Sequence, residues 1–374
     1  MNPDLRSQTR EELTERFAEW NEPSYRVGQL LDWIYARSVR HWEEMTNLPK
    51  PLRARLEQHY SLTLPQLVRR QGARDTTQKF LWRLTDQSLI ESVLIPANPA
   101  LYGAASDRHT LCLSTQVGCA YGCRFCASGM DGWKRNLQVE EIVGQVLAVE
   151  RWHRETTQSG GSAPGKGSRL IDNLVVMGMG EPLANYDHLL QALKLLNASW
   201  GGGIGARKIT VSTSGLAPQI RRLADEPLQV RLAVSLHGAT DEVRNRIMPV
   251  NRKYPLKVLG EALEFYQSRK GRLVTFEYIL IAGVNDGLEQ VKPLAELARR
   301  FHAKINLIPY NRVEGLPWNR PAEPAQEAFL AALERQKVAA TLRREKGHDI
   351  DAACGQLRLR TERELAAGSG DERN

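Results

Sequence analysis

The sequence contains no apolar run that approaches the ~18 residues of a membrane-spanning helix, and residues 1–6 lack the apolar segment of a secretory signal. It also contains no internal repeat and only five cysteines among 374 residues. An odd number of cysteines in a long chain argues against a disulfide framework and for metal or redox chemistry. These absences exclude a helical membrane protein, a repeat protein and a disulfide-stapled secreted domain. We therefore expect a cytoplasmic protein that does not bind membranes.

The residues that are present fit a large folded protein with a basic surface. Hydrophobic residues make up 42% of the chain, enough for one large domain and an accessory one, and the formal net charge is +8. Between residues 50 and 83, eight basic residues stand against two acidic ones. Such a segment is typical of a surface that binds nucleic-acid phosphates, but a solvated basic face gives the same pattern. The eight basic residues are Lys50, Arg53, Arg55, Arg69, Arg70, Arg74, Lys79 and Arg83.

The first hundred residues predict a small helical module followed by a hairpin. A stripe of apolar residues at helical spacing begins at Val27, and we expect helices within residues 1–60. Two strand-like runs, 79–84 and 89–95, are separated by a polar turn. These runs predict a β-hairpin that leads into the main domain.

From residue 109 onward, predicted strands and helices alternate. Six strand–helix units imply a parallel sheet, either curled into a partial barrel or open and doubly wound. An additional helix is expected near 257–268, a last strand at 338–343, and a low-complexity surface insertion at 156–168. The six predicted strands are 109–115, 170–177, 207–212, 229–236, 272–281 and 303–309. The helices that follow them are 138–152, 187–198, 216–224, 240–247, 287–300 and 323–336.

Four of the five cysteines lie within residues 112–126, and three of them have the spacing Cys-x3-Cys-x2-Cys. Cys119, Cys123 and Cys126 follow a predicted strand, at the carboxyl end where α/β barrels build their active sites. Three thiolates on one loop can hold a single ion or cluster, but a fourth ligand is missing. The spacing therefore fits a zinc ion completed by a distant His or Cys, or a four-iron cluster with one iron open to a substrate.

Glycine-rich and polar turns follow the later strands at the same edge of the sheet. Gly178 and Gly180 let backbone carbonyls approach a ligand's ammonium group, and Glu181 adds a negative charge. Taken alone, this turn fits a tight strand–helix connection equally well. Polar residues after the third, fourth and sixth strands would face the same cleft, although each could be an ordinary turn residue: Ser212, Ser235, His237 and Asn311.

Taken together, these segments closely resemble one family of the radical S-adenosylmethionine (SAM) superfamily over nearly the whole chain. That family consists of dual-specificity methyltransferases that act on carbon-2 of adenine in ribosomal RNA and transfer RNA. Phe125, directly before the last clustered cysteine, matches the aromatic residue usual in the superfamily. The resemblance is carried by Cys119 to Cys126, Gly178 to Pro182, Ser212 to Gly215, Ser235 to His237, Ala352 to Gln356, Met45 to Lys50, Glu91 to Pro96 and Ile305 to Pro309.

The resemblance implies an α/β fold with a partial (β/α)6 radical SAM barrel, a small N-terminal helical accessory domain and a short β-hairpin. It also implies a 4Fe–4S cluster on Cys119, Cys123 and Cys126, with SAM bound at the open iron. The implied SAM contacts are Gly180, Glu181, Ser212, Ser235, Leu236, His237 and Asn311. The expected domains are residues 1–65 (helical accessory domain), 66–104 (hairpin linker), 105–345 (barrel) and 346–374 (C-terminal loop with the methyl-carrier cysteine, and tail).

Three further residues would carry the covalent chemistry that the resemblance implies, with two SAM molecules used per turnover. Cys354 would be the methyl carrier, Cys112 a second thiol that releases the product through a disulfide, and Glu91 the acceptor of the ring proton. The residues alone leave other interpretations open. Cys354 also fits a small buried residue on a loop, Cys112 a structural residue of a strand, and Glu91 a solvent-facing carboxylate.

The resemblance implies 23S ribosomal RNA and transfer RNA as substrates and an electron donor such as flavodoxin or ferredoxin, and we expect a monomer. A related family methylates carbon-8 of the same ribosomal adenine and confers antibiotic resistance, and this is the nearest alternative. Pro182 after Glu181 favours the carbon-2 family. An interpretation from another class is a zinc-stabilised RNA-binding protein without catalytic activity.

Overall fold

The computed structural model describes residues 2–97, 108–130, 132–158, 169–343, 350–352 and 355–357, within which a ten-stranded sheet and a two-stranded ribbon form. The strands are β1 (Gln66–Gly72), β2 (Gln78–Arg83), β3 (Leu89–Pro96), β4 (His109–Cys112), β5 (Gln116–Gly118), β6 (Trp133–Asn136), β7 (Ile171–Val176), β8 (Ile209–Thr213), β9 (Arg231–Ser235), β10 (Thr275–Leu280), β11 (Lys304–Pro309) and β12 (Ala340–Leu342). The α-helices are α1 (Arg10–Glu19), α2 (Tyr25–Leu31), α3 (Lys50–His59), α4 (Val139–Gln158), α5 (Tyr186–Asn197), α6 (Ala217–Asp225), α7 (Asp241–Ile247), α8 (Leu256–Lys270), α9 (Val291–Arg300) and α10 (Glu323–Arg335).

The large sheet has the strand order β1-β2-β3-β4-β7-β8-β9-β10-β11-β12. Its first four strands pair antiparallel, and all neighbours from β4 onward pair in parallel. A helix follows each of the six strands β4 and β7 to β11, so the predicted α/β class and the six strand–helix units are confirmed. Because these strands are parallel, their carboxyl ends lie at one edge of the sheet.

The N-terminal residues form the predicted helices. Thr9 begins α1 with a capping box, in which its hydroxyl accepts the N–H of Glu12 and the Glu12 carboxylate accepts the N–H of Thr9. Leu13 and Phe17, four residues apart on one face of α1, are fully buried. The helical prediction for residues 1–60 is therefore confirmed.

The pairing of β2 with β3 confirms the predicted hairpin, but a third strand extends it. β1 pairs antiparallel with β2, from Gln66 opposite Arg83 to Gly72 opposite Gln78. The side chains of β1 are exposed or half-buried, so this strand lacks the apolar pattern that would have predicted it. Since β3 also pairs with β4, the three strands are an antiparallel extension of the main sheet.

The two faces of this extension have different neighbours. One face packs against α4, where the ring of Phe80 meets that of Trp152 edge-on at 5.0 Å between centroids. On the same face the hydroxyl of Ser92 donates to Oε1 of Gln145 at 3.0 Å. Successive residues of a strand point to opposite faces, so Lys79, directly before Phe80, points away from α4.

Around the loop that carries the cysteines, one predicted boundary was wrong and one pair of strands was missed. β4 ends at Cys112, not at 115, and the chain then forms β5, which pairs with β6 in a separate ribbon that the sequence did not indicate. Gly118 closes this ribbon with a φ of +74°, and a Cβ there would overlap the carbonyl oxygen of Gly132. Glycine is therefore required at this position.

The predicted insertion at 156–168 was wrong at its start, because α4 continues to Gln158, while residues 159–168 lie outside the described residues. The first turn of α4 carries Glu140 and Glu141, which the helix dipole favours at an N-terminus. None of the described helices, including the 20-residue α4, is both long and apolar enough to cross a membrane.

Candidate active site

A cleft of about 940 Å³, counting the part that opens to solvent, lies at the carboxyl ends of the parallel strands. This edge is where open α/β sheets bind their ligands. Eight of the sequence-predicted site residues line the cleft: Cys119, Cys123, Cys126, Gly180, Glu181, Ser212, Ser235 and His237. Leu236 and Asn311 are buried, and neither is among the lining residues of the described chain.

The three cysteines lie on a loop that backbone hydrogen bonds fix at both sides. The N–H of Cys119 donates to the carbonyl of Gly132, which leads into β6, at 2.9 Å. The N–H of Arg124 donates to the carbonyl of Ile247, the last residue of α7, also at 2.9 Å. All three thiols are free and only partly buried by residue area. The loop therefore presents three sulfur atoms to one end of the cleft.

The surroundings of these thiols disfavour a lone negative charge. Burial raises the pKa of Cys119 to about 12, and it raises the pKa of Cys123 well above its ordinary value, with Cys126 and Cys119 adding to that rise. Burial also raises the pKa of Cys126, although hydrogen bonds from Ser128 lower it. Coordination to a metal deprotonates a thiol outright, so a cationic occupant would turn three neutral thiols into thiolate ligands.

The donor set fits an iron–sulfur cluster. Soft thiolate donors favour such clusters or zinc, and three cysteines without a fourth leave one iron open to a ligand. The cleft beside the sulfur atoms offers room for that ligand. Among the described residues, no group of three or more His, Cys, Asp or Glu side chains is arranged as a preformed metal-ion site.

The glycine turn after β7 is held by side chains from the segment that leads into the cysteine loop. The hydroxyl of Ser114 accepts the N–H of Met179 at 2.9 Å, and Oε1 of Gln116 accepts the N–H of Glu181 at 2.8 Å. Gly180 has a φ of +99°, and a Cβ there would overlap the Gln116 side chain. The glycine is required because the turn passes so close to this side chain.

The carboxylate of Glu181 joins two of the turns that line the cleft. One oxygen accepts the N–H of Leu183 at 3.0 Å, and the other accepts the N–H of Ser214 at 2.7 Å. Burial raises the pKa of Glu181, and hydrogen bonds from Ser214, Thr213 and Leu183 oppose that rise. Glu181 is thus a rigid, buried acceptor, which the ammonium group of a ligand would complement.

His237 presents a neutral imidazole to the cleft. Its backbone lies in the left-handed region with φ +53°, and its Nδ1 accepts the N–H of Ile279 at 3.0 Å. Burial lowers the pKa of His237 to about 3, so the ring is uncharged at physiological pH and carries its proton on Nε2. The ring of Phe125 packs edge-on against it, with centroids 4.8 Å apart. The His237 ring, which lines the cleft, can therefore donate a hydrogen bond from Nε2.

Arg244, which the sequence did not single out, supports two of these turns from within. It is fully buried, and its guanidinium donates to the carbonyls of Ser214 at 3.1 Å, Ser235 at 3.2 Å and Leu236. Burial lowers the pKa of Arg244 to about 10, which still leaves the group charged at physiological pH. Its positive charge opposes the burial effect on the Cys123 thiol.

Glu277 on β10 is another lining residue that the sequence did not single out. It stands opposite Ser235 in the pairing of β9 with β10. Its Oε1 accepts from Nδ2 of Asn306 at 2.9 Å, whereas Oε2 is buried and has no hydrogen-bond partner among the described residues. A buried carboxylate oxygen beside a cleft would be stabilised by a hydrogen-bond donor or a cationic group of a bound ligand. An acidic residue inside an otherwise apolar strand was the signal available in the sequence.

Glu91 and Cys112 lie together on the sheet face that points away from α4. Val93 of β3 pairs with Cys112 of β4, and Glu91 precedes Val93 by two residues, so all three share one face. Glu91 is 3% exposed, so the solvent-facing interpretation was wrong, and its Oε1 lies 3.3 Å from Nζ of Lys79. Cys112 is buried, with 8% of its surface exposed.

Cys354 lies outside the described residues, but its described sequence neighbours contact the cysteine loop. Gly355 lines the cleft, and its carbonyl accepts the N–H of Ala127 at 2.8 Å. The hydroxyl of Ser128 donates to the carbonyl of Leu357 at 2.8 Å. The C-terminal segment is thereby joined to the residues that directly follow the last clustered cysteine.

Comparisons with known proteins agree with this site. A family model described as the radical SAM superfamily matches residues 113–298, and one described as the ribosomal RNA large subunit methyltransferase N-terminal domain matches residues 3–62. The crystal structure of a radical SAM methyltransferase from Sphaerobacter thermophilus superimposes with a TM-score of 0.86 at 43% identity, covering 95% of this chain and 99% of that one. The fold and the site define a radical SAM methyltransferase, an enzyme whose cofactors are a 4Fe–4S cluster and SAM.

Relatives in sequence narrow the class to a family. A probable dual-specificity RNA methyltransferase RlmN 3 from Opitutus terrae is 55% identical over 362 residues, covering 97% of this chain and 96% of the relative. A probable dual-specificity RNA methyltransferase RlmN from Akkermansia muciniphila is 48% identical, covering 97% of both chains. This chain belongs to the RlmN family of dual-specificity RNA methyltransferases.

Proposed function

We propose that the enzyme methylates carbon-2 of adenine in 23S ribosomal RNA and in transfer RNA through a methylated Cys354. The names of its relatives, which describe dual-specificity RNA methyltransferases, support an RNA substrate of two kinds. The observation that carries the proposal is the hydrogen bond between Ala127 and Gly355. It holds the residue next to Cys354 at the edge of the cleft that would bind SAM.

The target atom explains why a thiol carrier is needed. Carbon-2 of adenine lies between two ring nitrogens and is electron-poor, so it does not attack the methyl group of SAM as an ordinary nucleophile would. When bound, the cluster and SAM supply a one-electron cleavage that makes a radical able to remove hydrogen from an unreactive C–H bond. The side chains of the protein then have to hold the methyl group, take up the ring proton and release the product.

The residues would divide these tasks among themselves. Cys119, Cys123 and Cys126 would hold the cluster, and Cys354, as a thiolate, would accept a methyl group by displacement from SAM. Glu91 would take the proton from carbon-2. In the release step Cys112 would attack the sulfur of Cys354, so that a disulfide forms as the sulfur–carbon bond breaks. The electron pair of that bond would stay on the methylene carbon of the product, which takes up a proton to become the methyl group. The proposed SAM contacts are Gly180, Glu181, Ser212, Ser235, Leu236, His237 and Asn311.

The remaining partners follow from this chemistry. The enzyme would act as a cytoplasmic monomer, and an electron donor such as flavodoxin or ferredoxin would reduce it. The basic residues between 50 and 83 are candidates for the RNA contact, with one exception. Lys79 is only 8% exposed, and this leaves seven basic residues of that segment for RNA phosphates.

Mass spectrometry of RNA digests after reaction tests the proposed function. The purified, anaerobically reconstituted enzyme should convert adenosine in ribosomal and transfer RNA to 2-methyladenosine when SAM and a reductant are present. The appearance of 8-methyladenosine would instead assign the enzyme to the carbon-8 reaction. A colourless protein that holds zinc and lacks broad absorbance near about 400 nm would contradict catalysis by an iron–sulfur cluster.

Replacing Glu277 by glutamine is expected to weaken SAM binding. The change keeps the shape but removes the charge of the carboxylate that has a buried oxygen beside the cleft. The loss of one charged hydrogen bond, about 1.5–3 kcal/mol, corresponds to a roughly 10- to 150-fold higher Kd for SAM. Calorimetric titration of the reconstituted enzyme with SAM measures this Kd. Glu264→Gln, an exposed carboxylate on α8, is the matched control, and equal Kd values for both variants would contradict a ligand contact at Glu277.

A further inference from the structure

Lys79 joins two parts of the chain that are far apart in sequence. Its Nζ lies 3.3 Å from Oε1 of Glu91 and donates to the carbonyl of Asp351, also at 3.3 Å. The side chains of Lys79 and Glu91 are only 10% and 4% exposed. Asp351 belongs to the short described segment that precedes Cys354. One buried ammonium group thus contacts both the proposed proton acceptor and the segment of the proposed methyl carrier.

The strand register explains why a lysine at this position meets these groups. Lys79 of β2 pairs with Val93 of β3, and Val93 pairs with Cys112 of β4. Directly paired residues of antiparallel strands lie on the same face of a sheet, so Lys79 and Cys112 stand in one row across three strands. Glu91 lies on the same face, two residues from Val93. This row faces away from α4, and Asp351 contacts it from that side.

Because Lys79 is buried, its role differs from the one proposed for the other basic residues of its segment. A lysine that binds RNA phosphates by counterion release must reach solvent, whereas this ammonium group is enclosed and paired with a carboxylate. Enclosing a lysine is unfavourable unless its charge is paired and its donors are used. Here a carboxylate and a backbone carbonyl use two of its three donors. Lys79 is therefore an enclosed cation that bridges Glu91 to the C-terminal segment.

We infer that Lys79 is a positioning residue. It fixes the carboxylate of Glu91 and anchors Asp351, so that the segment leading to Cys354 stays against the sheet face that carries Glu91 and Cys112. This inference rests on the proposed function for the roles of Glu91 and Cys354. Lys79 itself is not among the residues that line the cleft. Its loss should slow methyl transfer without weakening RNA binding, because the candidate RNA contacts are the seven other basic residues between 50 and 83.

Steady-state kinetics and hydrogen exchange of Lys79→Gln test the inference. We expect kcat for RNA methylation to fall about 10- to 100-fold, the effect of losing a charged hydrogen bond, with KM for RNA unchanged. Hydrogen–deuterium exchange of the peptide spanning residues 350–357 should become severalfold faster in the purified enzyme. Lys292→Gln, an exposed lysine on α9, is the matched control and should leave all three quantities at wild-type values.

Lys79→Arg, the second variant, keeps the positive charge. It also tests the inference if circular dichroism shows that Lys79→Gln is unfolded. It should retain more kcat than the glutamine variant, with an unchanged KM. A raised KM at constant kcat in either variant would make Lys79 an RNA contact and overturn the inference, as would unchanged exchange of residues 350–357. If the wild-type enzyme makes no methyladenosine, the proposed function fails, while the exchange measurement still decides whether Lys79 anchors the segment.

Discussion

Replacing Cys126 by alanine should remove the bound iron, the absorbance near about 400 nm and RNA methylation together. Only three thiols line the cleft in the described chain, so no fourth thiol among the described lining residues can replace a missing ligand. We expect methylation to fall about a thousandfold or more, because the group that starts the reaction would be absent. Iron analysis, the visible spectrum and a methylation assay of the anaerobically reconstituted variant measure the three quantities.

Cys112→Ala is the control for this experiment, because it removes a thiol on the sheet face that carries Glu91 and leaves the loop of Cys126 intact. Its iron content and visible spectrum should match the wild type. If Cys126→Ala kept a full complement of iron, the assignment of Cys126 as a ligand would be wrong. If Cys112→Ala lost its iron, the division of the cysteines into ligands and reacting thiols would be wrong.

Replacing each of the two thiols outside the cluster, Cys354 and Cys112, should block the reaction at a different step. Cys354→Ala should abolish methyl transfer, yet retain the cluster and the capacity to cleave SAM, since only the methyl carrier is lost. Cys112→Ala should trap the RNA covalently on Cys354, because nothing would attack the sulfur to release the product. Denaturing gels with labelled RNA, followed by mass spectrometry of the cross-linked peptide, reveal the adduct.

The Cys112→Ala/Cys354→Ala double variant provides the internal control. It should form no adduct, which shows that the trapped bond requires the sulfur of Cys354. Normal turnover by Cys112→Ala would rule out its role in release. An adduct that persists in the double variant would place the covalent bond on another residue.

The repeating part of the fold could be predicted because each unit carries its own pattern. β7, for example, runs from Ile171 to Val176, within the predicted 170–177, since apolar runs and helical periods alternate there. The ribbon of β5 and β6 could not be predicted in this way. Its pairing depends on the close approach of Gly118 to Gly132, a tertiary contact between two short segments without an apolar period.

The same distinction between local and tertiary patterns applies to the residues of the site. The spacing of Cys119, Cys123 and Cys126 is local, so the sequence indicates a shared ligand site, and the structure places all three on one cleft. The roles proposed for Lys79 and Glu277 depend on partners from other strands. A single charged residue in an apolar strand marks an unusual position, but it does not reveal whether the side chain is exposed or buried and paired; for both residues the structure shows burial.

The hydrogen bond from Ser128 to Leu357 spans 229 residues of sequence and so bears on how the enzyme matures. A ribosome makes the cysteine loop long before it makes the residues that dock beside it. Until synthesis reaches the C-terminal segment, the thiols lack their last neighbour, and the proposed cluster site is more open than in the finished protein. Docking of residues 355–357 against Ala127 and Ser128 then completes this side of the cleft.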